Sequence, residues 1–225
     1  MSANWELITK KLKKFYKEQD KLNHFKNDEI YLKNAFLNIE ELWNKQFQKI
    51  EKLKVIMISE APFYGDIQRY LYNPHTAPSV FFYFKDLEVF LKDDEKLVRP
   101  KTTVEQKNMM YDYFYKNGFI TLDIFPFALN PNNTAINYRD MSKKLYYQLL
   151  EETTKEYLIP KLKACLEKSD SNTHFVYRYK RLFDKTENHF EKVLAEVSPK
   201  NQYKIDSING KGMFLDKKKL KELLK

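Results

Sequence analysis

The sequence predicts an α/β fold: a three-layer α/β/α domain on a mainly parallel four-stranded sheet, with a helical extension over residues 1–52. Three observations predict it. Short apolar runs at 54–59, 119–124 and 173–178 are too brief for helices and continuous enough for strands buried on both faces. Helical periodicities fill the intervals, the alternation that builds a parallel sheet. The first two runs also stop at a carboxylate and then a proline, Glu60 with Pro62 and Asp123 with Pro126. Open α/β sheets bind ligands outside the carboxyl ends of their strands, so these carboxylates mark a candidate site.

The elements follow in order. Trp5, Ile8, Leu12 and Phe15 make 4–18 an amphipathic helix with lysines on its other face. Leu32, Ala35, Phe36, Ile39, Leu42, Trp43, Phe47 and Ile50 predict a second helix over 29–52, with Asn27-Asp28 as the cap between the two. The stretch 61–78 reads as loop, broken by Pro62, Gly65, Pro74 and Pro78. Residues 79–90 are apolar and suit either a helix or a strand. Thr102 and Thr103 open a helix over 104–117, which Gly118 closes at the position that favours a left-handed turn. Asn130-Pro-Asn-Asn133 marks a turn after the second strand. Two helices over 139–150 and 152–166, kinked or broken at Pro160, precede the third strand. A helix over 187–197, a short fourth strand within 201–207, and a basic helix over 216–224 capped by Asp216 complete the chain. No internal repeat or linker divides it, so one domain over 1–225 is expected.

Composition narrows the function. A formal charge of +9 suits a polyanionic partner such as nucleic acid, although a lysine-rich composition gives the same balance. Only 4 glycines leave little material for a glycine-rich phosphate loop. The single cysteine, Cys165, excludes an internal disulfide and fits a reducing, cytoplasmic setting; its helical context reads as a buried thiol. No signal-like start and no apolar run long enough to span a membrane is visible. His24, His75, His174 and His189 lack metal-ligand spacing, so no metal is expected.

Ile58-Ser-Glu-Ala-Pro62, directly after the first strand, resembles the first motif of the uracil-DNA glycosylase superfamily, one branch of which carries Gly-Glu-Ala-Pro-Gly there. Phe119-Ile-Thr-Leu-Asp-Ile-Phe-Pro126 is similar to the family's second strand, which places a base-reading Asn or Asp near the pocket. Ile205-Asp-Ser-Ile-Asn-Gly210 lies where the family has its closing motif, usually His-Pro-Ser. The likeness covers about residues 50–215. Ser59 and Phe63 stand where that branch has glycines, and the closing histidine is missing.

The resemblance implies hydrolysis of the N-glycosidic bond of uracil or another altered base in DNA, with no cofactor. Such an enzyme takes the base out of the stack into a pocket. In that setting Glu60 orients a water or supports the sugar cation, and Asn209 donates to a base carbonyl in place of the missing histidine. Tyr72 or Tyr70 supplies a stacking face, Asp123 accepts from a base N–H, and His75 is a further candidate in the loop after Glu60. Arg178, Lys180 and Arg181, interleaved with Tyr177 and Tyr179, form a strip for the nucleic-acid backbone. The alternatives are a protein of the same fold that binds nucleic acid or a nucleobase without cutting, and an unrelated small-molecule enzyme using the same strand ends.

Overall fold

Four parallel strands pair in the order β2-β1-β3-β4: β1 (Val55–Ser59), β2 (Phe119–Asp123), β3 (His174–Tyr177) and β4 (Lys204–Asp206). All residues of β1 and β2 are buried, which explains their unbroken apolar sequences. The computed structural model describes residues 4–76, 89–90, 102–200, 203–206, 208 and 215–225. Around the sheet stand α1 (Trp5–Glu18), α2 (Leu22–Lys49), α3 (Thr103–Lys116), α4 (Lys143–Thr153), a π turn (Thr154–Leu158), α5 (Ile159–Glu167), α6 (Lys180–Val197) and α7 (Lys217–Leu223).

Side-chain alternation assigns the layers. Phe119 pairs with Val55 and stacks on Phe114 of α3, ring centroids 4.4 Å apart. Tyr177 pairs with Ile58 and packs on Phe183 of α6, at 5.2 Å. Val55 and Ile58 are an odd number of residues apart, so α3 and α6 cover opposite faces. Right-handed crossovers require this arrangement. The step from β1 to β2 runs one way along the sheet, and the later steps run the other. The reversal puts a topological switch between β1 and β3, where crevices open at the strand ends.

The helical extension braces that end of the molecule. The outer edge of β2 is closed by two side chains: Tyr72 Oη accepts the Thr121 N–H at 2.9 Å, and Trp43 Nε1 donates to Thr121 O at 2.7 Å. Tyr31 Oη accepts the Gly65 N–H at 3.0 Å and donates to Ala128 O at 3.3 Å, tying α2 to the loops after β1 and β2. Asp28 is not a cap. It lies inside α2, where its carboxylate accepts the Tyr16 hydroxyl at 2.8 Å and the Ala135 N–H at 2.6 Å. The two helices are separated instead by a Schellman turn with Asp20 at φ 53 and the Lys21 N–H on Tyr16 O.

Other boundaries also move. Thr102 and Glu105 form a reciprocal capping box at the start of α3, and Gly118 closes it at φ 72. A side chain at Gly118 would place its Cβ 2.3 Å from Lys52 O, so only glycine fits. The two helices expected over 139–166 are one continuous stretch that starts at Lys143 under a Ser142 cap. Pro160 lacks the N–H that an α-helix needs there, and the π turn before it relieves the mismatch. α6 begins at Lys180, well before the expected 187. Residues 79–88, most of the ambiguous apolar segment, lie outside the described residues, as does Asn209.

Candidate functional site

The β1–β2 register sets Ser59 beside Asp123, and the Phe125 N–H donates to Glu60 O at 3.1 Å. The two expected carboxylates therefore leave the same rim of the sheet. Their surroundings differ. Glu60 Oε1 accepts the hydroxyl of Tyr146, from α4, at 2.8 Å. Lys185 Nζ, from α6, lies 3.8 Å from the same oxygen and 3.0 Å from the Tyr146 ring centroid. Both ends of the Glu60–Lys185 pair keep about a quarter of their side-chain surface in solvent (27% and 28%). Burial lowers the Lys185 pKa and the Glu60 carboxylate opposes that shift.

Asp123 is sealed, at 3% exposure. Burial pushes its carboxyl up to about 6, against the opposing pull of the Lys161 and Arg178 charges. Nearby, Lys161 Nζ meets Glu40 Oε1 at 2.5 Å and lies 4.4 Å from the Trp43 ring centroid, both charged groups being buried. The Tyr70 hydroxyl is close enough to steady the Asp123 carboxylate, yet closes no hydrogen bond within 3.5 Å among the described residues. Burial holds its pKa well above the phenol value.

Basic residues follow β3 at the same rim. The Arg178 guanidinium lies 4.6 Å from the Tyr179 ring centroid, and its backbone N–H donates to Ile58 O at 3.0 Å, placing it at the β1–β3 switch. Burial lowers the Arg178 pKa, while the Asp123 charge works to raise it. Arg181 is near enough to act on both Tyr146 and Lys185. Lys180 is turned to Asp184 in the next helical turn. Tyr179, the N-cap residue of α6, makes no side-chain cap hydrogen bond, and no acid lies in the first turn of the helix. Lys180 and Arg181 add to the positive end of the helix dipole there, and Asp184 offsets part of that charge.

Of the expected site residues, the structure brings Glu60, Asp123, Arg178 and Arg181 to one end of the sheet. It does not present the expected stacking faces. Tyr70 and Tyr72 are 1% and 2% exposed; Tyr72 is spent on closing the β2 edge, and neither ring has a surface on which a base can stack. Tyr177 is likewise core. His75 is exposed in a turn, its N–H held by Asn73 Oδ1 at 2.9 Å. Sequence reasoning missed Tyr146 and Lys185. Lys185 lies one helical turn beyond Arg181, and i, i+4 spacing would have found it had α6 been started at Lys180.

Cys165 is buried and its pKa is raised to about 12, so it is a packing thiol. Among the described residues, no group of three His, Cys, Asp or Glu is placed to hold a metal ion, and no helix is long and apolar enough to cross a membrane. A cavity of about 740 Å³ between the π turn and α6, beside Thr154 and His189, does not include Glu60. No protein-family model, curated protein or solved structure matches this chain.

Proposed function

We propose that the chain is a DNA N-glycosylase that hydrolyses the bond between deoxyribose and uracil or another altered base. The observation that carries this reading is the half-open Glu60 carboxylate at the strand-order switch, paired with Lys185, near which Arg181 also lies. Glu60 orients a water towards the sugar carbon and supports the positive charge that grows there. The bond to the base breaks with its electron pair leaving on the base as an anion, water supplies the oxygen to the sugar carbon, and the proton that water gives up passes by way of Glu60 to the departed base. A closing histidine normally stabilises that anion in the family this chain resembles. Here the cations beside Glu60 supply the positive field, which acts strongly in a partly desolvated site. The electropositive end of α6 holds backbone phosphates.

The test is strand breakage by alkali after incubation with single- and double-stranded oligonucleotides carrying uracil or other altered bases. Breakage that disappears in Glu60→Gln, by about 10²-fold or more, supports the assignment. No breakage across the panel removes it. A second reading, nucleic-acid binding without cleavage, is favoured by one observation: Glu60 is already engaged by the Tyr146 hydroxyl and Lys185. Salt-sensitive binding without abasic product distinguishes it.

A further inference from the structure

The loop that follows Glu60 and the turn that follows β2 enclose a second, smaller cleft at the same rim. Its volume is about 200 Å³, and Phe63, Ile67, Asp66, Arg69, Asn130 and Asn133 are among its walls. Pockets that bury drug-sized molecules run to about 300–1,000 Å³, so this one has room for a single planar ring. The cleft is built. Gly65 sits at φ 71, and a Cβ there would come within 3.1 Å of Asn130 Nδ2. Tyr31 pins both loops from below.

Its chemistry is an apolar face with a polar edge. Phe63 and Ile67 are 50% and 58% exposed, unusual for large apolar residues on a constrained loop. One amide donor and one amide acceptor are committed internally: Asn133 Nδ2 donates to Asp66 Oδ1, and Asn130 Oδ1 accepts the Asn132 N–H. Two acceptor oxygens are left over. Asn133 Oδ1 is enclosed with no hydrogen-bond partner, and Asp66 Oδ2 accepts no hydrogen bond among the described residues. Arg69 is exposed and forms no ion pair among the described residues. Phe63 is three residues from Glu60, so their backbones are at most about 11 Å apart.

We propose that this cleft receives the base next to the excised one in a single-stranded nucleic acid, stacked on Phe63. Bases with an exocyclic amino group are preferred, because the Asp66 oxygen left over at the base edge is an acceptor. Arg69 meets the adjoining phosphate. The inference rests on the reading of the rim as a nucleic-acid site, and it concerns the neighbouring base, not the reaction.

Fluorescence anisotropy with short, labelled dA, dC and dT homopolymers at fixed salt tests it. Phe63→Ala is expected to weaken binding to all three about tenfold, the typical effect of losing one stacking platform. Asp66→Ala is expected to erase the advantage of dA and dC over dT. Thermal melting confirms that these loop variants fold. Equal affinity for the three homopolymers, no response to Phe63→Ala, or no single-strand binding overturns the proposal. Abasic product with unchanged binding in both variants overturns this cleft and leaves the glycosylase reading standing. Base-dependent binding that tracks Phe63 and Asp66 without abasic product does the reverse.

Discussion

Glu60 and Asp123 leave neighbouring strands at one rim of the sheet, a single residue out of step, and the molecule treats them oppositely. Glu60 meets a hydroxyl, a lysine and solvent. Asp123 meets a closed interior beside the Glu40–Lys161 pair, and its carboxyl is pushed up to about 6. Strand register fixes where a carboxylate emerges, and the helices packed over that point decide whether it faces water. The half-open side can exchange protons and ligands. The closed side concentrates charge where every partner matters, since an unpaired buried charge is far costlier than an exposed one.

The largest expected effect is therefore in the closed compartment. Lys161→Met leaves Glu40 buried without its cation and removes a charge that holds the Asp123 pKa down. A loss of about 3–5 kcal/mol in urea unfolding is expected. Adding Glu40→Leu should restore most of it, because the stranded charge goes too. Equal destabilisation in the single and double variants would show that the pair is held by packing rather than by charge.

Asp123→Asn should act in the opposite direction. The folded carboxyl binds its proton near pH 6, the unfolded one near its ordinary 3.8. Between these values the folded chain keeps a proton that the unfolded chain has released, so stability rises as pH falls through the window. Above pH 6 both states are ionised and the folded state carries the full penalty. That penalty is about 2–3 kcal/mol, each tenfold change in proton affinity being worth roughly 1.4 kcal/mol. The asparagine variant should gain up to that amount at pH 7 and lose the rise between pH 6 and 4. Melting temperatures across that range check it.

Much of this contrast lay beyond the sequence for identifiable reasons. The strands were legible because burial on both faces leaves an unbroken apolar run, and that located Glu60 and Asp123. The start of α6 was not, because Lys180 and Arg181 stand where a helix normally carries a cap and an acid. The continuity across Pro160 was hidden because a π turn has no sequence signature of its own. Tyr72 read as a stacking ring because nothing in one sequence reveals that β2 is an edge strand whose Thr121 needs closing. Tyr146 reaches Glu60 from 86 residues away, a contact only the assembled fold creates. DNA as the partner is carried by charge and resemblance.

The half-open compartment should respond more weakly. Tyr146→Phe removes the hydroxyl from Glu60 and is expected to cost about 0.5–1.5 kcal/mol, the net worth of one hydrogen bond. Under the glycosylase reading it should also lower the rate of abasic-site formation, since Glu60 loses the contact that orients it.

The smallest effect is the coupling between Glu60 and Lys185. A double-mutant cycle with Glu60→Gln and Lys185→Met is expected to give less than about 1 kcal/mol, because solvent reaches both ends of a 3.8 Å pair. Raising the salt should reduce that coupling further, while the Glu40–Lys161 cycle should barely respond. Two lysine–glutamate pairs in one molecule then report, by salt sensitivity alone, which side of the rim is open. Equal salt dependence in both cycles would mean that water enters the Asp123 compartment as well, and the distinction between the two carboxylates would fall with it.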